Sequence, residues 1–393
     1  MIKREIQDEL MTCAREYPVV TIMGPRQAGK TTLSKAAFPN LPYVSLEQPV
    51  VRQQFNDDPL GFIHRYSNGA IFDEAQHVPE LFSYLQTHVD ENLTPGRFIL
   101  TGSQNFGLSQ HISQSLAGRT SVLELLPFSK NELEEGGFLK DELDETLWTG
   151  AYPPIHDRHL RPSNWFANYV STYIERDVRQ LTAVQDLDAF ARFVRLSAGH
   201  AGQLINTSQL GTACGVSHKT IKHWLSILQA SYIACLLPPY YNNFHKRIIR
   251  TPKLYFYDSG LLCYLLGIQE PAQLYAHPFR GAIFENWVFA EIAKLLRVKG
   301  LHGNVYFWRT HGCQEVDFII EQGGKTIAVE VKSGMTVRPQ MLKSLLNTLH
   351  DWPSKNNVPV LVYGGVESYD LNGTKILPWR QINKLFEIKA PCK

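Results

Sequence analysis

Residues 24–31 read Gly24-Pro25-Arg26-Gln27-Ala28-Gly29-Lys30-Thr31. An apolar run, Val19 to Met23, precedes them, and the pattern predicts a helix from Lys30 to Ala37. The spacing G-x-x-x-x-G-K-T between a buried strand and a helix is that of a phosphate-binding loop. Loop N–H groups and a helix N-terminus attract a polyphosphate. Gly29 allows close backbone approach. Lys30 brings a point charge for the outer phosphates, and the Thr31 hydroxyl is placed to ligate Mg²⁺. The nucleotide-contacting stretch is therefore expected to comprise Gly24, Pro25, Arg26, Gln27, Ala28, Gly29, Lys30, Thr31 and Thr32.

Outward from the loop, apolar strand candidates alternate with helical stretches, which suggests a parallel sheet. They are Val19–Met23, Tyr43–Leu46, Ala70–Phe72, Arg97–Leu100 and Val122–Leu126. The third runs into Asp73-Glu74. Asp73 is expected to hold Mg²⁺ and Glu74 to polarise the attacking water; capping of the next helix is the structural alternative. The fourth runs into Thr101-Gly102-Ser103-Gln104-Asn105. Ser103, with Thr101 next, is the candidate γ-phosphate sensor, against plain turn chemistry. Arg119 is a candidate finger onto a neighbouring subunit's γ-phosphate, and a solvated arginine is the alternative. A finger would make a homo-oligomer the active species.

The stretches GPRQAGKTTL, IFDEAQ, FILTGSQN and SLAGRTSVLELLPFS occur in that order. Together they resemble the AAA+-type P-loop ATPases of bacteria and archaea that carry an uncharacterised C-terminal region. The resemblance implies an ASCE-type sheet, ATP rather than GTP, and Mg²⁺.

The bulk composition sets wider limits. A chain of 393 residues with 44% hydrophobic and 19% charged residues suits a globular protein of two or three domains. A formal net charge of +2 leaves any basic surface local. Cys13, Cys214, Cys235, Cys263, Cys313 and Cys392 are scattered without a C-x-x-C pair, against a zinc site or a disulfide framework. A reducing cytoplasm is the expected location. No apolar run reaches about 18 residues, so no membrane span is expected. The acid-bearing N-terminus lacks a signal peptide's apolar core.

In the middle, Asn131 to Trp148 reads as the exit from the ATPase domain. A helix is expected over Ser163–Leu181, with Arg176 or Arg179 as a lid arginine or, alternatively, on a solvated face. Ser208–Leu228 reads as helix, Gly-containing turn, helix, with Ser217 as N-cap. Strand-like runs Tyr232–Leu237 and Lys253–Tyr257 flank a basic, aromatic stretch. A winged helix follows from this. His218, Lys219, Lys222 and His223, with Lys246, Arg247 and Arg250, suit phosphate contacts on DNA or another nucleic acid. Protein–protein docking is the other use of such a module.

The C-terminal third pairs a helix from Phe279 to about Arg297 with strands Val305–Arg309, Glu315–Ile320 and Thr326–Val331. A helix, Pro339–Leu349, and a strand, Val358–Val362, close it. Asp317 and Glu330 fall on adjacent strands of a hairpin, and Glu330 and Lys332 share a strand face. Two carboxylates and a lysine so placed can hold Mg²⁺ and activate water. Glu285 would add a third carboxylate. The pattern E…VDF…VEVKS resembles the PD-(D/E)xK restriction-endonuclease-like fold, which the same ATPase family carries C-terminally. An ion-paired face without catalysis is the alternative.

The expected architecture is α/β in three parts. Residues 1–130 form a P-loop ATPase domain, 131–270 a helical and winged-helix region, and 271–393 a nuclease-like domain. Hydrolysis falls to Lys30, Asp73, Glu74, Ser103 and Arg119, and phosphodiester cleavage to Asp317, Glu330 and Lys332. Metal ligands are expected at Thr31, Asp73, Glu285, Asp317 and Glu330.

Overall fold

The computed structural model describes residues 2–103, 115–172, 186–240, 251–301, 305–310, 314–350 and 356–388. Chain contacts divide it into two compact units. The first holds Met1–Phe128 with Ala230–Tyr232 and Arg297–Gly300, and the second holds the remainder. The stretches read as middle and C-terminal parts thus gather within one unit.

The first unit is built on five parallel strands: β1 (Val19–Met23), β2 (Tyr43–Ser45), β3 (Ala70–Asp73), β4 (Phe98–Gly102) and β5 (Thr120–Glu124). Their order is β2-β3-β4-β1-β5. β4 therefore stands between the strand feeding the phosphate loop and the strand ending in Asp73. β1, β3 and β4 are buried along their whole length, as a parallel sheet covered on both faces requires. Alternation sorts the two faces. Val20, Ile22, Ile71 and Ile99 meet Leu10, Cys13 and Ala14 of the helix Gln7–Glu16 and Leu33 of the helix Lys30–Ala37. Phe72 and Phe98 stack on the other face, their centroids 6.1 Å apart, with Phe62 against Phe72.

The second unit contains a six-stranded sheet, β12-β13-β11-β10-β9-β8, and a two-stranded pair, β6-β7. The pair is β6 (Ala234–Leu237) and β7 (Lys253–Phe256). The sheet comprises β8 (Val305–Arg309), β9 (Glu315–Gln322), β10 (Lys325–Lys332), β11 (Asn357–Tyr363), β12 (Tyr369–Leu371) and β13 (Thr374–Pro378). β9 and β10 form the expected hairpin, closed by Gly323 and Gly324 at φ 55° and 75°. Two consecutive left-handed residues suit a two-residue hairpin turn, and glycine adopts them without a Cβ clash.

The helix Arg280–Val298 is buried from Ile283 to Leu296 save Glu285. Ten of the fourteen residues from Ile283 to Leu296 are apolar, and a helix covered on this scale belongs in a core. Asn286 ties β7 to it by two reciprocal bonds: Phe256 N–H donates to Oδ1 (2.7 Å) and Nδ2 donates to the Phe256 carbonyl (3.0 Å). On the other side, Tyr240 N–H reaches the Phe307 carbonyl of β8 at 2.7 Å.

His156, in the helix Pro153–Asp157, is buried with Nε2 3.0 Å from the Gly150 carbonyl. Burial pushes its pKa down to about 4. The neutral ring is favoured in the folded unit, so the unfolded chain takes up the proton first as pH falls. Stability is expected to be fully present above about pH 6.5 and to fall by on the order of 3 kcal/mol by about pH 4. Urea titrations from pH 7 to pH 4 should show this slope in the wild type and a flatter one in His156→Gln.

Candidate functional site

The loop after β1 takes the shape its sequence prescribes. Gly24 has φ 151°, and a Cβ there would lie 2.0 Å from the Leu125 carbonyl oxygen. Gly29 has φ 93° and opens the helix Lys30–Ala37. Lys30 is 5% exposed, and its ammonium donates to the carbonyls of Gly24 (3.0 Å) and Pro25 (2.8 Å). The loop thus closes on its own lysine.

Arg4 lies behind the loop, a residue that sequence reasoning missed. Its guanidinium donates to the Ala28 carbonyl (2.6 Å) and the Leu126 carbonyl (2.7 Å), over the Phe128 ring. In a trans peptide the C=O and the following N–H point opposite ways. Holding the Ala28 carbonyl therefore turns the Gly29 N–H away from Arg4. A charge-assisted hydrogen bond is worth about 1.5–3 kcal/mol. Arg4→Met is expected to raise the nucleotide Kd roughly tenfold, the equivalent of about 1.4 kcal/mol. Equilibrium titration with a fluorescent ATP analogue checks this.

Asp73 ends β3 beside the loop and is 6% exposed. Thr31 Oγ1 donates to it at 3.0 and 3.1 Å, Tyr43 OH at 2.7 Å, and Thr101 Oγ1 also donates. Three hydroxyls, from the loop's helix, β2 and β4, converge on one carboxylate. Burial, and then the bond to Asp73, push the Tyr43 phenol well above its ordinary range. Tyr43 was not foreseen, because a strand-end tyrosine carries no motif.

Glu74 follows in the left-handed region at φ 56°. A non-glycine residue there costs on the order of 1–2 kcal/mol and marks a constrained position. Its N–H donates to Thr101 Oγ1 at 3.2 Å, and its carboxylate accepts from Ser103 Oγ at 3.1 Å and from Gln76 Nε2. Ser103 and Thr101, named as rival sensors, both contact the acidic pair. Thr31 Oγ1 and the Asp73 carboxylate lie together and could hold a metal ion.

Arg119 is not brought to the loop of its own chain. It precedes β5, which runs parallel to β1, so it stands at the opposite end of the sheet. Its guanidinium pairs with Asp90 through Nε and through Nη2 at 2.9 Å. Gln104 and Asn105, and the candidate lid residues Arg176 and Arg179, lie outside the described residues.

A second centre lies in the second unit. Asp317 on β9 accepts the Val331 N–H at 2.8 Å, and Glu330 on β10 pairs with Lys332 at 2.5 Å. Asp317, Glu330 and Lys332 are therefore neighbours, as the spacing required. Glu285 joins them, with partners that the sequence did not announce. Its Oε1 accepts from Tyr255 OH (2.6 Å) and from Lys253 Nζ (3.2 Å). Lys253, 2% exposed, also pairs with Glu315 at 2.6 Å, and Arg309 with Glu315 at 3.2 Å.

Burial, reinforced by Glu285 and Glu330, pushes the Asp317 carboxyl well above the usual range. Burial alone would lower the Lys253 pKa, but Glu285, Asp317 and Glu315 outweigh it and keep the ammonium charged. Among the described residues no group of three or more His, Cys, Asp or Glu is arranged to hold a metal ion. Lys253 engages Glu285, and Lys332 engages Glu330.

The helix Thr207–Cys214 is capped by Asn206, and Gly215 at φ 74° turns the chain into the helix His218–Ala230. Ser217 caps that second helix by accepting the Thr220 N–H at 3.1 Å. His218, Lys219, Lys222 and His223 are exposed along it. Lys246, Arg247 and Arg250 lie outside the described residues. Among those described, no helix is long and apolar enough to cross a membrane.

Three family models match the chain: "AAA domain" over residues 16–134, "Domain of unknown function (DUF8612)" over 140–272, and "Domain of unknown function (DUF4143)" over 280–382. Two curated relatives are uncharacterized proteins, Rv2008c of Mycobacterium tuberculosis and Mb2031c of Mycobacterium bovis. Each is 31% identical over 379 residues, 95% of this chain and 82% of the relative. Among solved structures, the Walker-type ATPase PABY2304 of Pyrococcus abyssi aligns with a TM-score of 0.48 at 15% identity, covering 67% of this chain and 96% of that one. AMPPCP-bound DnaA of Aquifex aeolicus aligns with a TM-score of 0.28 at 13% identity, over 57% and 85%.

Proposed function

The chain belongs to one family with the two mycobacterial proteins, and on that premise we propose a Mg²⁺-dependent ATP-binding and ATP-hydrolysing protein. Its second unit, in this reading, carries a winged helix and a restriction-endonuclease-like module. The single observation that carries the ATPase reading is the meeting of Thr31, Asp73, Glu74 and Ser103 at the loop end of a parallel sheet. The match of residues 16–134 to an AAA domain supports it.

In the proposed cycle, Lys30 exchanges its two loop carbonyls for the β- and γ-phosphates of ATP. Thr31 and Asp73 would hold Mg²⁺, which neutralises charge developing on the transferred phosphoryl group. Glu74 orients the attacking water, and its neighbours Ser103 and Gln76 fix the carboxylate's direction. Arg119 can serve only a neighbouring copy, after release from Asp90, so a finger role requires a homo-oligomer. The exposed His218-Lys219 and Lys222-His223 pairs would meet phosphates of DNA or another nucleic acid. The scattered cysteines support a reducing cytoplasm as the location.

For the second unit, Asp317, Glu330 and Lys332 support metal-dependent phosphodiester cleavage. A specific observation, the Lys253 pairing with Glu285 and Glu315, favours the rival. In that rival, nucleotide state switches a binding surface and the nuclease-like module does not cut. One assay separates them: ATP turnover with and without single- and double-stranded DNA and RNA, with substrate integrity followed on a gel. Cleavage by this centre requires Mg²⁺-dependent nicking that Asp317→Ala abolishes while ATP turnover persists. Intact substrate with polymer-stimulated turnover favours the switch. Absence of ATP turnover under all conditions would refute the ATPase reading.

A further inference from the structure

The acidic centre of the second unit is already supplied with cations from the chain itself. Four carboxyl groups meet there: Glu285 of the buried helix, Glu315 and Asp317 of β9, and Glu330 of β10. Lys332 pairs with Glu330, and Arg309 with Glu315. Lys253 enters from β7, outside the 280–382 stretch that holds the four acids.

An ammonium has three N–H donors. Those of Lys253 have three oxygen partners: Glu315 Oε1 at 2.6 Å, Glu285 Oε1 at 3.2 Å and Tyr255 OH at 3.4 Å. Tyr255, two residues on and on the same strand face, donates its own proton to Glu285 Oε1 at 2.6 Å. The Phe307 ring lies 5.6 Å from the ammonium. The side chain is 2% exposed, so water does not complete its shell. A divalent cation ligated by Glu285 would have to displace this ammonium or leave it buried beside a like charge.

We propose that the Lys253 ammonium stands in this centre where a divalent cation would sit, so that the second unit excludes Mg²⁺ and is held together by an internal cation. The inference rests on the nuclease-like reading only for the expectation that a metal belongs there. β7 is joined to β6, which follows the helix His218–Ala230. The middle stretch thus donates the charge that closes the C-terminal stretch's acids.

The test is Mn²⁺ binding to the nucleotide-free full chain, read by electron paramagnetic resonance, in wild type, Asp317→Asn, Lys253→Gln, Lys253→Arg and Lys253→Gln/Asp317→Asn. Any ion near Asp73 is common to all five. Wild type, Asp317→Asn and Lys253→Arg are expected to bind alike. Lys253→Gln should gain one Mn²⁺ at least tenfold tighter than any in the wild type, lost again in the double variant. A wild-type Mn²⁺ that disappears in Asp317→Asn would overturn the proposal, as would a folded Lys253→Gln that gains none. If Lys253→Gln does not fold, the comparison of wild type with Asp317→Asn decides alone. Nicking of DNA by the wild type that depends on Mg²⁺ and Asp317 would overturn this inference and leave the cleavage reading standing. Mn²⁺ capture by Lys253→Gln without nicking by either protein does the reverse.

Discussion

Lys30→Ala is expected to abolish measurable ATP turnover and to weaken ATP binding by at least tenfold. Lys30 is the one loop side chain that carries a full positive charge into a buried position, and there it donates to two carbonyls of the same loop. Those bonds are neutral on one side, whereas phosphate oxygens carry charge. Exchange favours the phosphate by the difference between a charge-assisted pair and a charge–dipole bond. Removing one such donor from a developing oxyanion typically costs about 10²–10³-fold in rate. Phosphate release and titration with a fluorescent ATP analogue measure the two effects. The loop's fold should survive, because Gly24 against Leu125 and Arg4 on Ala28 define its shape independently.

The second large effect is on stability. Lys253→Met is expected to destabilise the second unit by about 3–5 kcal/mol, the usual consequence of stripping one partner from a buried ion pair. Glu285 and Glu315 both lose a cation in that variant, and Arg309 remains on Glu315 alone. All seven tryptophans fall within residues 129–393, and none of them in the segments 230–232 and 297–300 of the first unit. Tryptophan fluorescence in urea therefore reads the second unit selectively, and the shift in midpoint gives the loss. Millimolar Mn²⁺ is expected to raise the midpoint of Lys253→Gln and to leave that of the wild type unchanged. Lys332→Met should cost less, because Lys332 is 37% exposed and water screens what it leaves behind.

What was legible in the sequence and what was not divides along the range of the forces involved. The phosphate loop, β1, the helix Lys30–Ala37 and the Asp73-Glu74 pair rest on local spacing. Glycine at two strained φ values and a lysine at the helix start are decided by the chain next to them. The hairpin carrying Asp317 and Glu330 was equally readable, since Gly323-Gly324 fixes its turn and alternation fixes its faces. Strand ends shifted by one or two residues, as at β4 and β5, because hydrogen bonding to the neighbouring strand, not hydropathy, ends a strand. The short strands β12 and β13 and the helix Ser259–Leu265 were missed for want of enough residues to show a period.

The order β2-β3-β4-β1-β5 has no local signal. Arg4, Tyr43 and Lys253 were invisible for the same reason. Each reaches a partner at least twenty-four positions away in sequence, and each partner is defined only once the sheet is assembled. Arg119 illustrates the converse. Its position before a strand was read correctly, but strand direction puts it at the far end of the sheet from the loop of its own chain.

Single-turnover hydrolysis by the wild type and by Glu74→Gln, with radiolabelled ATP, Mg²⁺ and enzyme in excess, tests the ATPase account most directly. Glu74 is held at a strained φ by Thr101, and its carboxylate is aimed by Ser103. Both proteins are predicted to retain bound ATP on a filter, with the wild type converting it to ADP and phosphate at least roughly 10²-fold faster. Equal conversion by both, or no conversion by either, would contradict the assignment of hydrolysis to this site.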